Sequence, residues 1–165
     1  DAIILPHVFE HLLNPEAVLD ILTVIAKDGA CLQIEIPNIH SWQYSLFKAN
    51  WLHLDTPRHI HFYTPSLLIS SLIQRGWLLK SEKYFSPQYS PFGFQQSFLN
   101  SLGIKRDLLY ESMKGNKEYT KGYSKISLFL QYIFHYSTLP LFIITDFISS
   151  AFKKGATVKV IFQKA

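Results

Sequence analysis

The chain has 165 residues, 48% of them apolar and 17% charged, with a formal net charge of +4. That length suits one domain with its own core, and the composition excludes a disordered polar chain. The lone cysteine, Cys31, rules out an internal disulfide and, within the apolar run ACLQIEIP, is expected as a small core residue. Charge is uneven: residues 1–100 hold six Lys and Arg against eight Asp and Glu, and residues 101–165 hold ten against four. A basic half can face nucleic acid or anionic lipid, but a solvated face is the commoner cause. No DNA- or RNA-reading motif occurs, so no nucleic-acid partner is expected.

In chain order, DAIIL (1–5) reads as a buried strand bounded by Pro6. A helix is expected from about Pro15, with Asn14 as N-cap and Gly29 as the stop, its apolar face carried by Val18, Leu19, Leu22 and Ile25. ACLQIEIP (30–37) is a second strand, so strand, helix and strand follow one another with short connections, as in a parallel α/β unit. Residues 38–64 form a long His- and Trp-rich connection, a length usually kept for function. Thr64 and Pro65 open a second helix that Gly76 ends, and WLLKSEKYF (77–85) reads as a third strand. The last ten residues, ATVKVIFQKA, alternate apolar and polar and read as a final strand, half exposed or at an edge.

Residues 86–155 differ in composition from what flanks them. SPQYSPFGFQQSFLNSLG is aromatic and amide-rich, and Ile126–Thr145 runs 20 residues without Asp, Glu, Lys or Arg, with Lys125 before it and Lys153 and Lys154 after it. The length would span a bilayer, but Gln131, His135 and Pro140 interrupt it. A helix pair broken near Pro140, packed on the domain or dipping into a membrane surface, is the expected form. His135, alone among apolar residues, is expected as a satisfied core or interface histidine.

HVFEH (7–11) has the H-x-x-E-H spacing of the inverzincin metalloproteases. That chemistry needs both histidines on one helix and a further ligand on a neighbouring helix. Pro6 breaks the strand just before His7, so His7 falls in the turn and only Glu10 and His11 are expected in helical geometry. No convincing further ligand follows. The motif instead stands beyond the carboxyl end of a strand, where open α/β sheets bind ligands.

DAIILPHVFEHLLNPEAVLDILTVIAKDGACLQIEIPN resembles the fourth strand, fourth helix and fifth strand of a class I S-adenosylmethionine (SAM) dependent methyltransferase, with Ala30 where the family's second glycine stands. LDTPRHIHFYTPSLLISSLIQRGW resembles the same family's approach to its next helix, SPFGFQQSFLNSLG an insert of one bacterial branch, and GATVKVIFQKA its closing antiparallel strand. The fold so implied is α/β: a partial Rossmann-like sheet of about four strands, the last antiparallel, with a helical apolar insert before it. Residues 1–85 would be core, 86–155 the acceptor cap or membrane-contact region, and 156–165 the closing strand. The family's glycine-rich loop has no counterpart, since no G-x-G occurs. With Asp1 first and Met113 the one methionine, the chain is expected to be the C-terminal part of a longer protein that binds SAM weakly or not at all by itself.

The resemblance implies methyl transfer from SAM to an oxygen of a small or lipid-like acceptor, in the cytoplasm, at the inner face of the membrane. Leu5, Pro6 and His7 would line the cofactor site. Relatives that methylate hydroxyls with a divalent metal place its ligands at the positions of His7, Glu10, His11 and, best matched, His59; elsewhere in the superfamily the E-H pair merely braces a loop. His11, His59, Asp55 and Arg58 are the candidate catalytic residues, with His61 as a further candidate for orienting an acceptor. His40 and His53 read equally well as surface residues, and Trp42, Tyr44 and Trp51 as pocket wall or as packing. The alternative is a non-catalytic, membrane-associated or partner-binding module derived from the same fold.

Overall fold

Strand β1 (Ala2–Pro6) and strand β2 (Cys31–Pro37) run parallel, in register from Ala2 opposite Cys31 to Pro6 opposite Glu35, in a computed structural model that describes residues 1–165. Pro6 is the last residue of β1 and does not interrupt it. Helix α1 (Pro15–Ile25) connects the two strands; the Asn14 side chain accepts from the Ala17 N–H and Pro15 takes the first position, both as expected. The helix stops at Ile25, so Gly29, with φ +76°, shapes the turn into β2 and does not end the helix. Along β2 the side chains of Leu32, Ile34 and Ile36 are fully buried. Cys31, expected in the core, is exposed: it is the first residue of the strand, beyond the reach of the packed layer.

Helix α2 (Trp42–Phe47), capped by Ser41, and two 3₁₀ turns at Lys48–Asn50 and Leu52–Leu54 occupy the long connection. Helix α3 (Pro65–Gln74) starts on the Thr64 cap and ends at Gly76, whose φ of +81° lets the chain turn into strand β3 (Trp77–Lys83). Glu16 ties α1 to α3, accepting from the Tyr63 and Ser71 hydroxyls at 3.0 and 2.8 Å and pairing with Arg75 at 2.9 Å.

Strand β4 (Thr157–Lys164) is antiparallel to both neighbours in the sheet order β1-β2-β4-β3. The α/β sheet of four strands with an antiparallel last one is therefore present, but β4 is interior, not half exposed or at an edge. Val158, Val160 and Phe162 are buried, while Lys159 and Ile161 between them face the other side and are half-buried. The main core joins Leu19 of α1, Leu68 and Leu72 of α3, and Trp77 to these sheet residues and to Phe9.

Four helices fill 86–155: α4 (Ser90–Ser101), α5 (Leu108–Met113), α6 (Lys117–Thr120) and α7 (Lys125–Ala151). The expected break near Pro140 does not occur, and α7 is one helix of 27 residues. Pro140 is exposed, so the Tyr136 carbonyl it leaves without an N–H donor lies on the solvent side. One residue earlier, the His135 carbonyl accepts from Gln95 Nε2 of α4 at 2.9 Å, which supports the backbone at that point. His135 is buried, as expected, with Nδ1 2.8 Å from Gln95 Oε1.

Candidate functional site

The chain leaves β1 through His7, whose N–H donates to the Glu35 carbonyl at 2.9 Å and whose backbone is left-handed, φ +51°. Phe9–His11 then forms a single 3₁₀ turn, not the α-helical geometry expected for Glu10 and His11. The Glu10 carbonyl accepts from the Ile60 and His61 N–H groups at 3.1 and 3.2 Å. These two bonds hold PRHIH against HVFEH across 50 residues of sequence.

The result is a cavity of about 470 Å³ beyond the carboxyl ends of β1 and β3. His7, His11, His53, Asp55, Arg58 and His59 face it from one side, and Tyr89, Phe92, Asp107 and Tyr110 from the other. Of the five non-glycine residues with left-handed backbone, three (His7, Asp55 and Asp107) line this cavity. Such conformations are unfavourable and collect where a surrounding structure imposes them, commonly at functional sites.

At its wall, Glu10, His11 and His59 each offer a ligand atom within 4.8 Å of the others; His11 and His59 line the cavity, and Glu10 is buried beside them. His11 Nδ1 lies 2.9 Å from the Arg58 carbonyl and His59 Nδ1 lies 2.8 Å from the His53 carbonyl. A carbonyl only accepts, so both Nδ1 atoms carry a proton, and in the neutral rings it is Nε2 that presents the lone pair. Backbone carbonyls holding the far nitrogen are the usual outer support of a metal-binding imidazole. Burial pushes His59 below the ordinary histidine range, which favours the neutral, ligating form. Glu10 is 1% exposed, and its Oε2 is buried without a partner. A buried, unpartnered carboxylate oxygen is costly unless a cation meets it. One carboxylate and two imidazoles suit several divalent metals, so these three residues fit such an ion.

His7 lies just outside that cluster. Its Nδ1 is 3.2 Å from Glu10 Oε1 and its Nε2, buried and without a hydrogen bond, is 3.8 Å from Glu35 Oε1. It orients the Glu10 carboxylate and is itself held edge-on by the Tyr89 ring, 4.5 Å between centroids. Asp55 and Arg58 form their own pair at the rim, Arg58 donating through Nε and Nη2 to Asp55 Oδ1 at 3.1 and 2.7 Å. His53 is buried, which excludes its reading as a surface residue; burial takes its imidazole down to about 3, so it is neutral. Asp107 opposite is raised by burial while Asn100 and Arg106 hold its charge.

The other candidates lie elsewhere. Leu5 packs against the core and Pro6 is exposed, neither lining the cavity. His61 contributes its backbone, His40 is exposed away from the cavity, and Trp51 is fully buried against Tyr44. Trp42 borders a separate apolar cleft with Leu46, Phe94 and Ile148. Glu35 escaped the sequence reading, although an acid between Ile34 and Ile36 in a buried strand is a visible signal. It is 4% exposed, accepts from the Ser86 hydroxyl and pairs with Lys159 at 3.2 Å. Tyr89, Asp107 and Tyr110 were missed for lack of any local pattern.

No family model matches the chain, and no curated protein does. Among solved structures it is similar to a coclaurine N-methyltransferase bound to N-methylheliamine and SAH, with a TM-score of 0.45 and 14% identity. That similarity covers 99% of this chain and 48% of the other, so the chain spans about half the length of that protein.

Proposed function

We propose that this chain carries the acceptor side of a SAM-dependent methyltransferase acting on an oxygen of a small or lipid-like molecule, with a divalent cation held by Glu10, His11 and His59. The observation that carries it is the grouping of Glu10, His11 and His59 beyond the carboxyl end of β1, each with a ligand atom within 4.8 Å of the others, where Glu10 also holds a buried carboxylate oxygen without a partner. The motifs HVFEH and PRHIHFYT, which resemble that family, supply those residues, and the antiparallel closing strand agrees with the fold the resemblance implies.

A bound cation would lower the pKa of an acceptor hydroxyl, and SAM would supply a methyl group already activated as a sulfonium. The protein's share is then alignment and exclusion of water. His7 fixes the Glu10 carboxylate, the His53 and Arg58 carbonyls fix the imidazoles, and Tyr89, Phe92 and Tyr110 wall the cavity from solvent. The Asp55–Arg58 pair at the rim offers polar groups to a hydroxylated acceptor. Leu5, Pro6 and His7 are the positions that the resemblance assigns to the cofactor's methionine end.

The test is label transfer from methyl-tritiated SAM to a panel of phenolic and lipid-linked hydroxyl acceptors, with the complete gene product, Mg²⁺ or Mn²⁺ being added. Transfer that EDTA and Glu10→Gln both abolish supports the reading. Absence of transfer to every acceptor, together with absence of bound Mn²⁺, overturns it and leaves the non-catalytic module.

A further inference from the structure

Helix α7 is amphipathic in the sense opposite to that of a helix on a water-soluble domain. Its inward face carries Gln131, His135, Asp146 and Ser149, all buried. Its outward face carries Ile126, Phe129, Ile133, Leu141, Ile144 and Phe147, spaced by three or four residues where they follow one another within a turn and each 49 to 73% exposed. Beneath it, α4 meets α7 through the rings of Phe94 on Phe142 and Phe98 on Phe134, and through one amide, Gln95 donating to the His135 carbonyl and to Thr138 Oγ1 at 2.9 and 2.8 Å. A continuous stripe of large apolar groups outside, over buried polar side chains within, is the arrangement of protein against lipid.

We propose that α7 is a membrane-docking helix that lies in the plane of an anionic bilayer surface, its outward stripe immersed at the headgroup boundary. The helix has 27 residues, about 40 Å at the α-helical rise, which would also cross a bilayer. The inward face opposes crossing: it is bonded to the domain at Tyr132, His135, Thr138 and Asp146, whose Oδ2 accepts from the Ser86 N–H at 3.2 Å. A helix anchored along one side presents only the other side to lipid, as interfacial helices do.

Charge selects the occupant. Between Ile126 and Phe152 the outward face has no charged residue, while Lys117, Lys121 and Lys125 stand exposed at one end and Lys153, exposed, with Lys154, half-buried, at the other. Of these, Lys153 pairs with Glu82 at 2.7 Å; the others form no ion pair, and Glu118 is the one acid beside them. A second copy seated on the stripe would bring basic end to basic end whichever way the two helices ran, because both ends are basic. An anionic headgroup layer meets both ends favourably. Trp42 and Leu46 of α2, 44 and 65% exposed, continue the apolar surface past Phe152, whose ring lies 5.5 Å from that of Trp42. Aromatic residues at such a margin suit the membrane–water boundary. The proposal stands on α7 and its flanks and is independent of the methyl-transfer reading.

The experiment is cosedimentation of the 165-residue chain with unilamellar phosphatidylcholine vesicles, with and without about one third phosphatidylglycerol. Binding to the anionic vesicles is expected, falling as salt rises, with phosphatidylcholine alone bound at least about tenfold more weakly. Phe129→Glu with Phe147→Glu, both at exposed positions, should remove binding while the far-ultraviolet circular dichroism stays unchanged. Each of Lys121→Gln and Lys125→Gln should weaken binding about fivefold. Absence of binding by the folded wild-type chain overturns the proposal, as does equal binding to both kinds of vesicle. A dimer in sedimentation equilibrium that the double glutamate variant dissociates overturns it in favour of a second copy.

Discussion

His59 and His53 are joined by a 2.8 Å hydrogen bond from the ring Nδ1 of the first to the backbone carbonyl of the second. That bond fixes which nitrogen of His59 is free, and the His11–Arg58 bond does the same one residue along the cavity wall. Glu10→Gln, by removing the charge, should abolish measurable Mn²⁺ binding in an electron paramagnetic resonance titration of the chain. His7→Phe removes a group that orients Glu10, and is expected to weaken Mn²⁺ by about 10- to 100-fold, as loss of an outer partner does. Equal losses in the two variants would place His7 among the ligands.

The βαβ start of the chain and both helix caps were legible because their causes are local. Asn14–Pro15 and Thr64–Pro65 satisfy the first N–H groups of their own helices, and ACLQIEIP shows its burial directly. DAIIL is a strand but not the buried one expected: β1 is the edge of the sheet, and Ile4 is 59% exposed, because no strand covers its outer side. The course of α7 through Pro140 was not legible, because the Gln95 amide that supports it comes from 40 residues away. In the site, the Glu10, His11 and His59 grouping could be anticipated from two motifs. Its setting could not: Tyr89, Asp107 and Tyr110 arrive from the region that follows β3, and His53 is buried only because α4 covers it.

Gly93 is where α4 covers His53. A Cβ at Gly93 would fall inside the contact distance of the His53 ring, Nε2 being the nearest atom. Gly93→Ala is therefore expected to destabilise the chain by about 1–3 kcal/mol, the usual cost of overfilling a packed region, measured by urea denaturation. Adding His53→Ala should recover part of that loss, giving a coupling of about 0.5 kcal/mol or more between the two sites. Additive losses would show that the clash lies elsewhere.

Asn38 is fully buried where β2 ends, and both ends of its amide are used. Its Nδ2 donates to the Gly155 carbonyl at 2.9 Å and its Oδ1 accepts from the His40 N–H at 3.0 Å. These bonds hold the start of the long connection to the start of β4. Asn38→Ala leaves both backbone groups without their partner, at a cost of about 1–3 kcal/mol. Asn38→Asp keeps the acceptor and loses the donor, so it should also destabilise. A shift in the thermal midpoint of several degrees in each variant is the expected reading.

Asp146 gives α7 a pH dependence that can be isolated. Burial pushes its carboxyl up to about 6, against 3.8 for a free aspartate. The folded chain thus holds that proton more tightly than the unfolded chain does. The stability so gained is fully present below about pH 4 and is lost as pH rises through about 6. At neutral pH the residue is a buried carboxylate with the Ser86 N–H on Oδ2 and no partner for Oδ1. Asp146→Asn keeps an acceptor for Ser86 and removes the charge. Urea denaturation should find the variant more stable than wild type by about 1–3 kcal/mol at pH 8 and little different at pH 4. A gain that stays constant across that range would mean that shape, not ionisation, limits the fit of Asp146 against the domain.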